Sequence, residues 1–220
     1  MVNLLNAGAA MKTALLLIDL QNDFCPGGAL AVTEGDAVIP VANQAIAACL
    51  ARGEPVVASQ DWHPVNHRSF AVNSHAQVGT LGELEGLPQV WWPVHCVQGS
   101  HGADFHPQLQ RQHINAVFRK GQDTNIDSYS AFFDNGHRAQ TELHGWLQSQ
   151  GVRRLAIMGL ATDYCVKFSV LDALAAGYPT QVIVDGCRGV NLQPDDSERA
   201  LQDMARAGAQ LVTLSQFLAN

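Results

Sequence analysis

Residues 14–19 read ALLLID, five apolar side chains in a row closed by a carboxylate. A strand with one wet face alternates polar and apolar residues. An unbroken apolar run of this length suits a strand covered on both faces. Five further runs share the character: Pro55–Ser59, Ala116–Arg119, Leu155–Gly159, Gln181–Val184 and Gln210–Leu214. Between several of them lie segments with helical spacing that stop at a glycine. Val38–Ala51 precedes Gly53, Thr141–Gln150 precedes Gly151, Val166–Ala176 precedes Gly177, and Ser197–Ala207 precedes Gly208. Glycine just past the last periodic residue is a frequent helix stop because it accepts the left-handed cap conformation. Strands alternating with helices predict an α/β domain with a mostly parallel sheet. Right-handed crossovers place helices on both of its faces.

The chain has 220 residues, 47% hydrophobic and 15% charged, with a formal net charge of −7. That length allows one domain with a substantial core, expected over residues 11–220. The charge argues against a nucleic-acid or anionic-membrane surface, since Arg119-Lys120 and Arg153-Arg154 are the only adjacent basic pairs. No apolar run approaches the ~18 residues of a membrane span. Residues 1–10, MVNLLNAGAA, lack the basic and long apolar parts of a secretory signal. They are expected to be a disordered extension, or to precede an alternative start at Met11. Five cysteines with no C-x-x-C pair point to a reduced, cytoplasmic setting.

In an open parallel sheet, ligands bind beyond the carboxyl ends of the strands. The first run ends in Asp19, and the second leads into Asp61-Trp62-His63. The third ends in Lys120, the fourth leads through GLATDY to Cys165, and the fifth ends at Asp185. Each has a plain structural explanation. A carboxylate after a strand is commonly a turn residue, a lysine beside glycine is commonly solvated, and a cysteine is commonly a small buried hydrophobe. Cys165 stands out because it opens a helix, with Thr162 or Asp163 as N-cap. A helix N-terminus and a nearby ammonium both favour thiolate.

The stretch from Asp61 to Asn115 has little periodicity, is rich in histidine and contains Trp62, Trp91 and Trp92. Long irregular segments in compact domains are usually functional or disordered, and this one is too aromatic for disorder. It holds two Asp-x-His pairs, Asp61/His63 and Asp104/His106, so spacing does not choose between them. Position does, because the first pair leaves a strand end on alternating residues that share one side. His67 and His95 follow as possible further ligands. Two histidines and one carboxylate suit zinc, iron or manganese, with positions left open. His75, His101, His106, His113, His137 and His144 are read as hydrogen-bonded loop histidines.

Seven motifs occur in order: ALLLIDLQNDFCPGG, DWHP-x-NH-x-SF, WP-x-HC-x-Q-G, FRKG, DSYSAFFDN, GLATDYCV and DGCRGV. Together, from Lys12 to the C-terminus, they resemble the nicotinamidases among the isochorismatase-like hydrolases. The resemblance implies a six-stranded sheet in a three-layer α/β/α sandwich. It also implies hydrolysis of nicotinamide, and of pyrazinamide, to the acid and ammonia in NAD salvage. Carried over by motif, Asp19 is the general base, Cys165 the nucleophile and Lys120 the charge stabiliser. Asp61, His63 and His95 match the ligands of one divalent metal, zinc before iron or manganese. His67 is a candidate for the layer behind those ligands. Phe24 and Trp92 match aromatic walls of the substrate pocket. The amides of Ala161 and Cys165 match an oxyanion hole, with a cis peptide just before Ala161.

On this reading the metal has no carbonyl to polarise. Its partner is the pyridine nitrogen, which it would use to orient the ring. Two other classes remain at this stage: a cysteine hydrolase of the same fold acting on a non-pyridine amide, and a non-catalytic relative that only binds a ligand.

Overall fold

The computed structural model describes residues 11–220; the expectation for residues 1–10 lies outside them. Six parallel strands form the main sheet in the order β5-β2-β1-β6-β7-β8. They are β1 (Thr13–Ile18), β2 (Val56–Asp61), β5 (Ala116–Lys120), β6 (Arg154–Leu160), β7 (Thr180–Arg188) and β8 (Gln210–Val212). All six residues of β1 are buried, as its unbroken apolar run requires. Helices α1 (Val38–Arg52) and α5 (Leu214–Leu218) pack together on one face, and α3 (Lys167–Ala175) and α4 (Asp196–Arg206) on the other. Helix α2 (Leu143–Ser149) also lies in the described chain and carries His144, expected in a loop, and the whole is the expected α/β fold. Gly53 ends α1 with φ +67, and its amide bonds back to the last turn. Among the described residues no helix is long and apolar enough to cross a membrane.

Several boundaries move by a few residues from the sequence expectation, and three of the differences bear on the site edge. Strand β2 continues to Asp61, because its ladder with β5 runs on to pair Asp61 with Lys120. Strand β7 runs past Asp185 to Arg188, and Asp185 is exposed, accepting the Leu214 amide at 2.7 Å. It therefore stabilises the start of α5 and takes no part in a site. The run Gln210–Leu214 is strand only to Val212; Thr213 caps α5 with a capping box to Gln216.

The irregular segment contains a hairpin that periodicity did not announce, β3 (Leu81–Leu84) and β4 (Leu87–Val90). Its two-residue turn, Glu85-Gly86, has φ +51 and +78. That is the primed geometry a tight hairpin needs, without the Asn-Gly signature that usually betrays it.

Candidate active site

Strand order reverses between β1 and β6. Crossovers from these two strands leave in opposite directions and open a crevice at their carboxyl ends. The backbones approach closely there. Gly159, φ +136, lies so near the Ile18 backbone that a Cβ would collide with it. Asp19 follows β1 on one lip, with φ +50. On the other lip the Leu160–Ala161 peptide is cis, as the resemblance implies. Residues Thr162–Val166 then form a π-turn that carries Cys165.

The ammonium of Lys120 joins the parts. Its Nζ lies 2.8 Å from Asp19 Oδ2, 3.3 Å from Cys165 Sγ and 3.4 Å from Asp61 Oδ1, and it donates to the Ser128 carbonyl at 3.0 Å. Asp19 is fully buried. Its Oδ1 accepts from the Ser59 hydroxyl at 2.7 Å, while Oδ2 has the ion pair but no directed hydrogen bond. A lone pair is thus left on the carboxylate beside the thiol.

Charge in this site is set by burial against a few close partners. Burial raises the Asp19 carboxyl above its ordinary range, and Lys120 only partly offsets this. Burial disfavours the Lys120 ammonium, yet Asp19, Asp61 and Cys165 together hold it protonated well above its usual value. The Cys165 thiol corrects the sequence expectation. Burial lifts it well above a free thiol, Lys120 lowers it less, and Asp19 and Asp61 raise it again. The resting sulfur is a thiol, and its proton needs a base. Nor do Thr162 or Asp163 cap the helix by a side chain; Asp163 instead accepts the amides of Val190 and Asn191 at 2.9 and 2.8 Å. Cys25, Cys49 and Cys187 behave as small buried hydrophobes, with burial pushing their thiols up to about 11, 12 and 12.

Asp61, His63 and His95 converge beside this group, all buried. Asp61 Oδ2 lies 2.9 Å from His63 Nε2 and 3.3 Å from His95 Nε2. Each ring is fixed from behind. His63 Nδ1–H donates to the Gly121 carbonyl at 2.8 Å and His95 Nδ1–H to the Pro93 carbonyl at 2.7 Å. A carbonyl can only accept, so both rings carry a proton on Nδ1, which leaves each Nε2, on the carboxylate side, as the atom a metal would take, the arrangement of metal-binding imidazoles. The donor set fits one divalent cation.

His67 stands behind them, its ring centroid 4.4 Å from that of His63. Its Nδ1 accepts the Ser69 amide at 3.1 Å, and its Nε2–H donates to the Ile126 carbonyl at 3.1 Å, so both nitrogens are occupied. The second Asp-x-His pair goes elsewhere: Asp104 is exposed, and His106 Nδ1 accepts the Gln108 amide at 3.2 Å.

Phe24 and Trp92 line the narrow cleft over Cys165, as expected, together with Tyr129, Tyr164 and Val190. Sequence reasoning missed the two tyrosines. Tyr164 adjoins the cysteine and Tyr129 lies in the quoted DSYSAFFDN motif, so position was the only signal. Trp92 donates its indole N–H to the Tyr129 hydroxyl at 3.3 Å and meets Tyr164 edge-on at 4.9 Å. A larger cleft of about 1150 Å³ runs along the β5 edge, but the cysteine and the metal-type donors do not line it.

An apolar slot over a buried cysteine, a carboxylate and an ammonium, with a metal-type donor set alongside, defines a hydrolase-like site. The chain matches the Isochorismatase domain over residues 13–216 and belongs to that family. It is 59% identical over 204 residues to a nicotinamidase of Escherichia coli (strain K12), covering 93% of this chain and 96% of that one. A nicotinamidase/pyrazinamidase structure from Acinetobacter baumanii superposes with TM-score 0.89 at 41% identity, covering 95% and 99% of the two chains. The pyrazinamidase of Pyrococcus horikoshii in complex with zinc superposes with TM-score 0.76 at 37% identity, covering 92% and 99%.

Proposed function

We propose that the protein is a nicotinamidase, hydrolysing nicotinamide, and pyrazinamide as an alternative substrate, to the acid and ammonia. The observation that carries the reading is the single Lys120 ammonium in contact with Asp19, Cys165 and Asp61. It ties a carboxylate, a thiol and a metal-type cluster into one unit beneath an aromatic slot. The high identity to nicotinamidases supports the same reading. The setting is the cytoplasm, where nicotinate re-enters NAD synthesis.

An aromatic amide is a poor electrophile with a poor leaving group, and a cysteine divides its hydrolysis into two easier steps. Phe24 and Trp92 hold the ring so that the carboxamide faces Cys165. Asp19, its affinity for a proton raised by burial, takes the thiol proton as sulfur bonds to the carbonyl carbon. Lys120 stays charged throughout and balances the negative charge shared by Asp19 and the sulfur. The carbonyl of Ala161 accepts from Tyr164 and Val166, on either side of Cys165. The Ala161 and Cys165 amides serve the developing oxyanion; one such donor is typically worth ~10²–10³ in rate. Asp19 returns the proton to the departing ammonia, leaving a thioester on Cys165. Water, deprotonated by the same carboxylate, then releases the acid and restores the thiol. Asp61, His63 and His95 would hold a divalent ion, zinc by likeness to the zinc-bound pyrazinamidase of Pyrococcus horikoshii, whose contribution would be to fix the pyridine nitrogen and so orient the ring.

The test is ammonia release from nicotinamide and benzamide, before and after metal removal. Benzamide has the same carboxamide and nearly the same shape without the ring nitrogen. Loaded protein should favour nicotinamide strongly, and stripped protein much less. No ammonia from nicotinamide refutes the function, and an unchanged ratio after stripping refutes the orienting role. A preference for an acyclic or ureido amide would identify a different hydrolase of this fold.

A further inference from the structure

We infer that Gln21 and Asp23, two side chains of the loop after β1, are positioning residues for the Asp61–His63–His95 cluster. The inference rests on the reading of that cluster as a metal site. The ladder between β1 and β2 ends at Ile18–Ser59, because the chain turns away at Asp19 with φ +50. Asp61, two residues further along β2, would then lack strand partners on the β1 side. Gln21 supplies them from its side chain. Its Oε1 accepts the Asp61 N–H at 2.9 Å, and its Nε2 donates to the Asp61 carbonyl at 2.8 Å. A second Nε2 donation reaches the Ala103 carbonyl at 2.9 Å. Gln21 is fully buried, so its amide has only these partners for its polar atoms. On the opposite edge, Trp62 N–H donates to the Lys120 carbonyl at 2.9 Å. The backbone carrying the Asp61 carboxylate is therefore held from both sides.

Asp23 does the same for the histidines through Cys96. This residue has φ +46, an unfavourable left-handed conformation for a side chain with a Cβ. Asp23 Oδ2 accepts the Cys96 N–H at 2.7 Å, fixing the peptide plane that follows His95. The carbonyl of Cys96 accepts the His63 N–H at 2.9 Å, so the same residue links the two histidine backbones. Asp23 Oδ1 accepts the Ala29 amide at 3.1 Å, which orients the carboxylate. One loop thus grips the backbone of the carboxylate donor with an amide, and that of the histidines with a carboxylate.

The test uses the full-length protein, stripped of metal and titrated with zinc against a competing chelator. Cobalt loading reads the geometry of the site from its visible spectrum. Gln21→Met keeps the shape without the hydrogen bonds, and Asp23→Asn leaves one acceptor for two donors. Each should weaken zinc by about 10–100-fold and alter the cobalt spectrum. Asn43→Ala is the control. It removes a comparable grip on a distant loop, the bonds to the Gln108 carbonyl and the Gln110 amide at 2.9 Å each. It should lower thermal stability and leave zinc affinity and spectrum unchanged. Should Gln21→Met fail to fold, Gln21→Glu, which keeps the acceptor for Asp61 N–H and loses both donors, takes its place with the same expectation. Wild-type zinc affinity and cobalt spectrum in the Gln21 and Asp23 variants, with binding lost in His63→Ala, would overturn the inference alone. Zinc binding unaffected by His63→Ala would overturn the metal reading beneath it.

Discussion

Replacing Lys120 with methionine removes one buried charge while keeping much of the side-chain volume. The ammonium lost lies 2.8 Å from Asp19 and 3.4 Å from Asp61. Taking one partner from a buried ion pair typically costs about 3–5 kcal/mol, which corresponds to roughly 2–4 pH units on the remaining carboxyl. Asp19 already titrates above the ordinary carboxylate range, because burial outweighs Lys120. Without Lys120 it keeps its proton to still higher pH. A neutral Asp19 cannot accept the thiol proton, and the ionised fraction falls tenfold for each unit by which its pKa exceeds the pH. The shift, together with the lost balance for the sulfur's charge, should therefore lower kcat/KM at pH 7 by more than about tenfold.

The assay is ammonia release across the pH range. In the wild-type protein the acid limb should lie above the ordinary carboxylate value of about 4. In Lys120→Met it should move to higher pH, with part of the activity recovered on the alkaline side. Zinc content should stay at one per chain, because Asp61 loses a competing cation and keeps its charge for the metal. Turnover within tenfold of wild type at pH 7, or a loss of the same size at every pH, would refute the reasoning.

Cys165→Ala should abolish hydrolysis and retain nicotinamide binding, measured by calorimetry; thioester trapped on Cys25, Cys49, Cys96 or Cys187, read by mass spectrometry, would reject Cys165 as the nucleophile. His63→Ala should lose the metal and His106→Ala should keep it, by metal analysis; the reverse result would mean that the other Asp-x-His pair is the site. Gly121 has φ +71, and a Cβ there would press on the His63 ring. Gly121→Ala should therefore lower stability by about 1–3 kcal/mol, read by denaturant unfolding, and weaken zinc by at least about tenfold. Unchanged values would show that the loop simply backs away.

The sequence by itself determined the sheet and the edge where chemistry gathers. Periodicity and helix stops are local properties, so ALLLID announces a covered strand wherever it folds, and parallel strands put their carboxyl ends on one side. Asp19, Lys120 and the approach to Cys165 were legible because each closes or follows such a run. The motif resemblance added Phe24 and Trp92, which no local rule singles out, and chose His95 over His67 as the third ligand. Only the tertiary structure decided the contacts between runs far apart in the chain. It extended β2 to Asp61 through pairing with β5, and it withdrew Asp185 from the site to hold α5. It engaged both His67 nitrogens with Ser69 and Ile126, and it made Cys165 a buried thiol in need of a base. These outcomes depend on burial and on which charges meet across strands. Neither quantity exists until residues about 30 to 150 positions apart are packed together, and the grip of Gln21 and Asp23 on the donors' backbones has the same origin.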